Sequence, residues 1–216
     1  MVQTVIFDLD GTLLDTIEDL KNAGNWICRK SGWPEHTTDE FKALVGHGMR
    51  NLVMQLMPEK RRSPLMVTYM LTLYMESYGA HYMDNTRPYE GMAELLAKMK
   101  AAGIKMAVCS NKSDQFSRDL IAHFFPDTFA VVRGKLEGVP VKPDPQGTLQ
   151  VMELLGADPA TTLFVGDSKV DIETGKNIGA ATCGVSWGFR PRETLVEAGA
   201  DTIADTVAEL EAVIFA

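Results

Sequence analysis

Two aspartates, Asp8 and Asp10, follow the apolar run Thr4 to Phe7 and precede Gly11 and Thr12. In an extended chain residues i and i+2 point to the same side, so these carboxylates would converge. Such a pair repels unless a cation bridges it or one member keeps its proton, and either state is useful in catalysis. Gly11 allows a tight turn, and the Thr12 hydroxyl could fix the orientation of a carboxylate. A second acidic pair, Asp167 and Asp171, follows Leu163-Phe164-Val165 through Gly166. Four apart at a helix start, the two can share one face; the plainer reading is an N-cap and a first-turn acid held by the helix dipole. If all four acids lie beyond the carboxyl ends of parallel strands, they need a metal between them. With no histidine or cysteine nearby, the donor set favours a hard cation. Magnesium suits it, because that ion takes one or two carboxylates, waters and a substrate phosphate.

Phosphate chemistry asks for donors and a cation as well. Ser110-Asn111 follows Met106-Ala107-Val108-Cys109, and Lys142 stands in Val141-Lys142-Pro143. Taken singly these are a turn and a solvated lysine; taken together they are what a phosphate group needs around it.

The elements that must position these residues are legible in the hydrophobic pattern. Thr4 to Phe7, Ile104 to Cys109, Phe129 to Val132, Thr162 to Val165 and Ala181 to Val185 read as buried strands. From the second on, each follows an amphipathic segment, as in an α/β fold whose parallel sheet carries helices on its faces. Helix punctuation is ordinary: Gly103 and Gly156 stop two helices, and Ser113 opens another. Between the first two strands the chain runs for roughly ninety residues, whereas a crossover needs a dozen or more. An all-helical insert is therefore expected at 16–82, leaving 1–15 and 83–216 as a discontinuous core. Ile17, Leu20, Gly24, Ile27 and Cys28 mark one helical face in it, Leu52, Val53 and Leu56 another, and Ser63-Pro64 opens a long segment through Tyr78. Seven methionines from Met49 to Met83 suit adaptable core packing or a pliable face.

Composition narrows the function classes. The 216 residues carry 21 basic and 29 acidic side chains, a formal charge of −8, with 45% hydrophobic and 23% charged residues. That is an ordinary globular composition, able to bury a core without disulfides. The negative balance repels phosphate backbones, so no nucleic-acid partner is expected. Cys28, Cys109 and Cys183 are far apart and suggest neither a disulfide framework nor a zinc site. No apolar stretch reaches membrane-spanning length and the first residues do not read as a signal peptide, so a cytoplasmic protein without a membrane partner is expected.

In order along the chain, Asp-Leu-Asp-Gly-Thr-Leu-Leu-Asp-Thr (8–16), Val-Cys-Ser-Asn (108–111), Val-Lys-Pro (141–143) and Val-Gly-Asp-Ser-Lys-Val-Asp (165–171) resemble the four motifs of the haloacid dehalogenase-like superfamily. The insert after the first motif resembles that superfamily's first class of helical cap, over a Rossmann-like core. Leu-Val-Gly-His-Gly (44–48), Arg-Pro-Tyr-Glu-Gly (87–91) and Lys-Pro-Asp-Pro (142–145) are similar to segments of its phosphoglycolate phosphatase-like members.

The resemblance implies that Asp8 is a nucleophile forming an aspartyl-phosphate, and that Asp10 protonates the leaving oxygen and then activates water. It implies Mg2+ held by Asp8, Asp167 and the backbone carbonyl of Asp10, with Thr12 and Asp171 orienting from behind. Lys142, Ser110 and the backbone around Asn111 would bind the phosphoryl group. The partner is then a small phosphorylated metabolite, and a monomer or weak dimer is expected. His47 or Arg50 would meet the leaving group if 46–48 is a loop over the site, or belong to a helix–helix turn if not. A phosphosugar mutase of β-phosphoglucomutase type shares the same motifs, and a phospho-accepting regulatory module shares the acidic pocket.

Overall fold

The computed structural model describes residues 1–216. Its strands are β1 (Thr4–Phe7), β2 (Leu14–Asp15), β3 (Arg87–Pro88), β4 (Lys105–Ser113), β5 (Val131–Lys135), β6 (Thr162–Gly166), β7 (Ala181–Val185) and β8 (Thr202–Ala204). The helices are α1 (Ile17–Ser31), α2 (Thr38–Leu44), α3 (Met49–Leu56), α4 (Pro64–His81), α5 (Met92–Ala101), α6 (Asp114–Phe124), α7 (Gln146–Leu155), α8 (Lys169–Asn177), α9 (Arg192–Glu197) and α10 (Val207–Ile214). The chain divides into two compact units, Met1–Asp15 with Pro88–Ala216, and Thr16–Arg87.

The first unit is built on a six-stranded sheet in the order β5-β4-β1-β6-β7-β8. Every pairing in it is parallel. Successive residues Val5, Ile6 and Phe7 are all fully buried. Because neighbouring side chains point to opposite faces, both faces of β1 must be covered. On one of them Ile6, Ala107 and Phe164 pack with Val151, Met152 and Leu155 of α7. Phe129 precedes β5 and meets Phe7 edge to face at 6.1 Å.

The strand order reverses at β1, whose neighbours are β4 on one side and β6 on the other. Such a reversal opens a crevice beyond the strand ends, the usual ligand position in a parallel sheet. Asp8 stands at that point, its N–H donating to the Val165 carbonyl at 2.9 Å.

Several boundaries differ from those expected. β4 continues to Ser113 rather than ending at Cys109, with a register shift between Cys109 and Ser113. β5 begins at Val131 rather than Phe129. Ser113 does occupy the N-cap position of α6, but its hydroxyl makes no cap bond. β8, α9 and α10 have no counterpart in the sequence reading, since their apolar runs are short.

The second unit is all helical. In α1 the buried Ile17, Leu20, Ala23, Gly24 and Ile27 recur at helical spacing, and Gly32 ends it in the left-handed region at φ 69°. A capping box of Thr37 and Glu40 opens α2, and Ser63 caps α4 with Pro64 in its first turn. Gly46-His47-Gly48 lies in the turn between α2 and α3, with His47 exposed. Arg50 of α3 donates to the Thr68 hydroxyl of α4 at 3.3 Å. Of the methionines, Met57 and Met70 are core residues whereas Met54 is exposed.

This unit reaches Arg87 rather than residue 82, and Asp19 accounts for the extension. Its buried carboxylate accepts the backbone N–H of Asn85 and Thr86, the Asn85 amide and the Thr86 hydroxyl. No helix is long and apolar enough to cross a membrane. All three cysteines are unpaired and buried.

Candidate active site

Four segments converge beyond the ends of β1, β4 and β6. After Asp8 the chain folds tightly, with the N–H groups of Leu13 and Leu14 returning to the Leu9 carbonyl. Gly11 sits at φ +83°, and a Cβ there would stand 2.5 Å from Asp167 Oδ2. Only glycine therefore lets this turn approach the carboxylate. Gly188 does the same from the other side, since its Cβ would overlap both Asp167 and the Gly11 carbonyl.

Carboxylate oxygens of Asp8, Asp167 and Asp171 all lie within 4.8 Å of one another. Lys142 is buried beside them, its Nζ 2.7 Å from Asp171 Oδ1 and 2.9 Å from Asp8 Oδ1. Lys142 thus pairs with both carboxylates, and its charge and hydrogen bond lower Asp8 against the effect of burial. Burial alone would lower the Lys142 pKa, but Asp171 and Asp8 hold it well above the usual lysine range.

Among the acids, burial pushes Asp8 up to about 6, partly offset by Lys142 and reinforced by Asp171 and Asp10. Asp167 is pushed up to about 8, first by burial and then by Asp171 and Asp8. Its Oδ2 accepts the Phe189 N–H at 2.6 Å.

Asp171 is the third residue of α8, and its other oxygen accepts the Ser168 N–H and hydroxyl in a capping box. The N-cap is thus Ser168, not Asp167, which lies before the helix. One carboxylate does two jobs here: Asp171 closes the helix start and faces Lys142.

Asn111 makes a reciprocal pair with the backbone of Lys142. Its Oδ1 accepts the Lys142 N–H at 2.8 Å and its amide donates to the Lys142 carbonyl at 3.0 Å. The Asn111 side chain therefore braces the lysine. Ser110 is buried next to it, and its Oγ accepts the Lys112 N–H. The Thr12 hydroxyl is buried without a partner, so it orients no carboxylate; its carbonyl accepts the Trp187 indole N–H at 3.2 Å. Tyr89 lies 6.2 Å from the Trp187 ring, and burial together with Asp15, Asp167 and Asp10 raises its phenol.

Lys112 was missed in the sequence. Its Nζ donates to both oxygens of Asp10, at 2.9 and 3.2 Å. The available signal was its place three residues beyond the apolar run 106–109, next to Ser110 and Asn111.

In this cluster Lys142 is shared by Asp8 and Asp171, Lys112 is paired with Asp10, and Arg190 lowers Asp167, yet burial and the neighbouring carboxylates still push Asp8 and Asp167 up. A divalent cation among them would relieve that repulsion. The oxygen-only donors and the two acids raised by burial suit a hard metal ion.

A parallel α/β core with a carboxylate and lysine cluster at its switch point defines the class of α/β proteins with an acidic site that could hold a metal ion. The family model described as haloacid dehalogenase-like hydrolase matches residues 5–185, and the chain belongs to that family. It is 31% identical over 193 residues to the phosphoglycolate phosphatase of Aquifex aeolicus (strain VF5), covering 87% of this chain and 86% of that one. It is also 31% identical over 211 residues to the N-acetylmuramic acid 6-phosphate phosphatase of Pseudomonas aeruginosa, covering 97% and 93%. Among solved structures, a candidate phosphoglycolate phosphatase from Lactobacillus delbrueckii subsp. bulgaricus matches with a TM-score of 0.93 at 30% identity, covering 98% of each chain.

Proposed function

We propose that the protein is a magnesium-dependent phosphatase that hydrolyses a small phosphomonoester through an aspartyl-phosphate on Asp8, with phosphoglycolate as the first substrate to test. The observation that carries this reading is the buried triad of Asp8, Asp167 and Asp171 closed by Lys142. The names borne by its relatives at about 30% identity point the same way.

Asp8, Asp167 and the backbone carbonyl of Asp10 would hold Mg2+, which when bound offsets the charge of the phosphate and of the carboxylates around it. With a pKa raised to about 6, Asp8 is still mostly ionised at neutral pH and able to attack phosphorus. Lys142 supplies a fixed positive charge beside that nucleophile and opposes the repulsion of an incoming phosphate. Ser110 and the backbone around Asn111 would donate to the transferring oxygens. Asp10 gives a proton to the leaving ester oxygen, then takes one from the water that opens the phospho-aspartate. The helical unit, read as 16–82 in the sequence and Thr16–Arg87 in the fold, would by the family resemblance be the cap that selects the leaving group.

The test is a panel of phosphorylated metabolites scored by released phosphate, with Asp8→Asn as the control. Phosphate release with Mg2+, abolished in the folded D8N variant, is the expected result. Isomerisation of a sugar phosphate without net phosphate release would replace the phosphatase reading by a mutase. A long-lived phospho-Asp8 without turnover would replace it by a regulatory module.

A further inference from the structure

A lysine whose side chain has no solvent exposure must have its charge met, because the desolvation of an ammonium costs several kcal/mol. Lys112 meets its charge at Asp10, whose side chain is 13% exposed, and grips both carboxylate oxygens. The backbone is shaped for this contact. The ladder between β4 and β5 jumps from Cys109↔Arg133 to Ser113↔Lys135, so Ser110, Asn111 and Lys112 stand against the single residue Gly134. This is a bulge, the device by which a strand re-aims its side chains. Gly134 is the residue that leaves it room: a Cβ there would lie 2.6 Å from both the Lys112 carbonyl and the Asp114 Cα.

The two lysines sort the four acids. Lys142 lies with Asp8 and Asp171, within the triad whose oxygens converge, whereas Asp10 is outside that triad and is held by Lys112. We propose that Lys112 is a positioning residue for the reaction, acting through Asp10. Its two-point hold fixes the plane of the Asp10 carboxylate and keeps that group at the leaving oxygen rather than in the carboxylate triad. The inference rests on the reading of Asp10 as proton donor and base. In the first step the P–O bond to the leaving group breaks as Asp10 delivers its proton to that oxygen. In the second, Asp10 takes a proton from water as the water oxygen bonds to phosphorus and Asp8 departs. Lys112 gains and loses no atom in either.

The test compares Lys112→Met, Lys112→Arg, Asp10→Asn and the D10N/K112M double variant on an alkyl phosphate and on p-nitrophenyl phosphate, whose leaving group needs no proton. For K112M we expect kcat on the alkyl phosphate to fall about 10- to 100-fold with KM near that of wild type, the range for a misplaced reacting group. In the rate of phospho-Asp8 formation, read by rapid quench because the later hydrolysis needs Asp10 for both esters, the loss on p-nitrophenyl phosphate should be smaller, and K112R should recover part of the alkyl rate. Added to D10N, K112M should cost nothing more, since two residues that act as one are not additive. The double variant leaves neither charge behind, so it and K112R carry the test if K112M alone does not fold. Equal losses on the two esters in the rate of phospho-Asp8 formation, a wild-type rate in K112M, or a further loss on adding K112M to D10N would overturn the proposal. If D10N itself shows no difference between the esters in that rate, the proton-donor reading falls and the proposal with it. If D10N shows that difference and K112M does not, only the role of Lys112 falls.

Discussion

Replacing Asp167 by asparagine should make the metal-free protein more stable and remove its response to magnesium. The Asp167 carboxyl is almost completely buried and is pushed from the ordinary 3.8 up to about 8 by burial and by its neighbours Asp171 and Asp8. The folded chain therefore binds this proton more tightly than the unfolded chain. Its contribution to stability is fully present below pH 3.8 and is lost as the pH rises through about 8. At about 1.4 kcal/mol per pH unit, the loss reaches about 2 kcal/mol at pH 5 and about 5 kcal/mol at pH 8. Asparagine has nothing to ionise, and its amide oxygen can still accept the Phe189 N–H. Urea denaturation of both proteins in EDTA should show D167N gaining on wild type by about 3 to 4 kcal/mol between pH 5 and pH 8. Magnesium should then raise the urea midpoint of wild type and leave that of D167N where it was. A gap that does not change with pH, or a D167N variant less stable than wild type at pH 8, would refute the argument that burial and the neighbouring carboxylates raise this acid.

Other substitutions probe other parts of the same cluster. Lys142→Met keeps the volume but leaves Asp171 and Asp8 without their cation, and should cost about 3–5 kcal/mol in urea denaturation as well as the activity; unchanged stability would show that the lysine does not balance them. Gly188→Ala puts a Cβ into Asp167 and the Gly11 carbonyl, so it should weaken the magnesium dependence of phosphate release by about 10- to 100-fold in a folded protein. Magnesium dependence equal to wild type would mean that the close approach of the 188 backbone does not set the position of Asp167. Asp8→Asn should retain the wild-type circular dichroism spectrum while releasing no phosphate, and measurable turnover would exclude Asp8 as the nucleophile.

Much of the core was readable from residue pattern, because a strand buried on both faces has to be a continuous apolar run. Ala181–Val185 is the case in point, its limits standing where the pattern put them. The short edge strand Thr202–Ala204 and the brief helix Arg192–Glu197 carry too few apolar residues to stand out from loop. The carboxylates were legible as pairs at strand ends. The lysine that holds Asp10 was not, because Lys112 acquires its meaning from a bulge in a ladder with a strand some twenty residues away, a non-local pairing that local pattern does not encode. The role of Asn111 was hidden for the same reason, since its partner is the backbone of Lys142.

By itself, the amino-acid sequence determined which chemical groups are present and in what order: four carboxylates, a lysine and a serine at strand or loop ends, with a helical insert after the first strand. Those are local properties, set by side-chain type and by the alternation of buried and exposed positions. Only the tertiary structure decided how the charges are shared. Strand order brings β1 between β4 and β6, which sets Lys142 between Asp8 and Asp171 and gives Asp10 to Lys112. The physical reason is that electrostatic energy depends on separation and burial, and both are fixed by packing between segments 29 to more than a hundred residues apart.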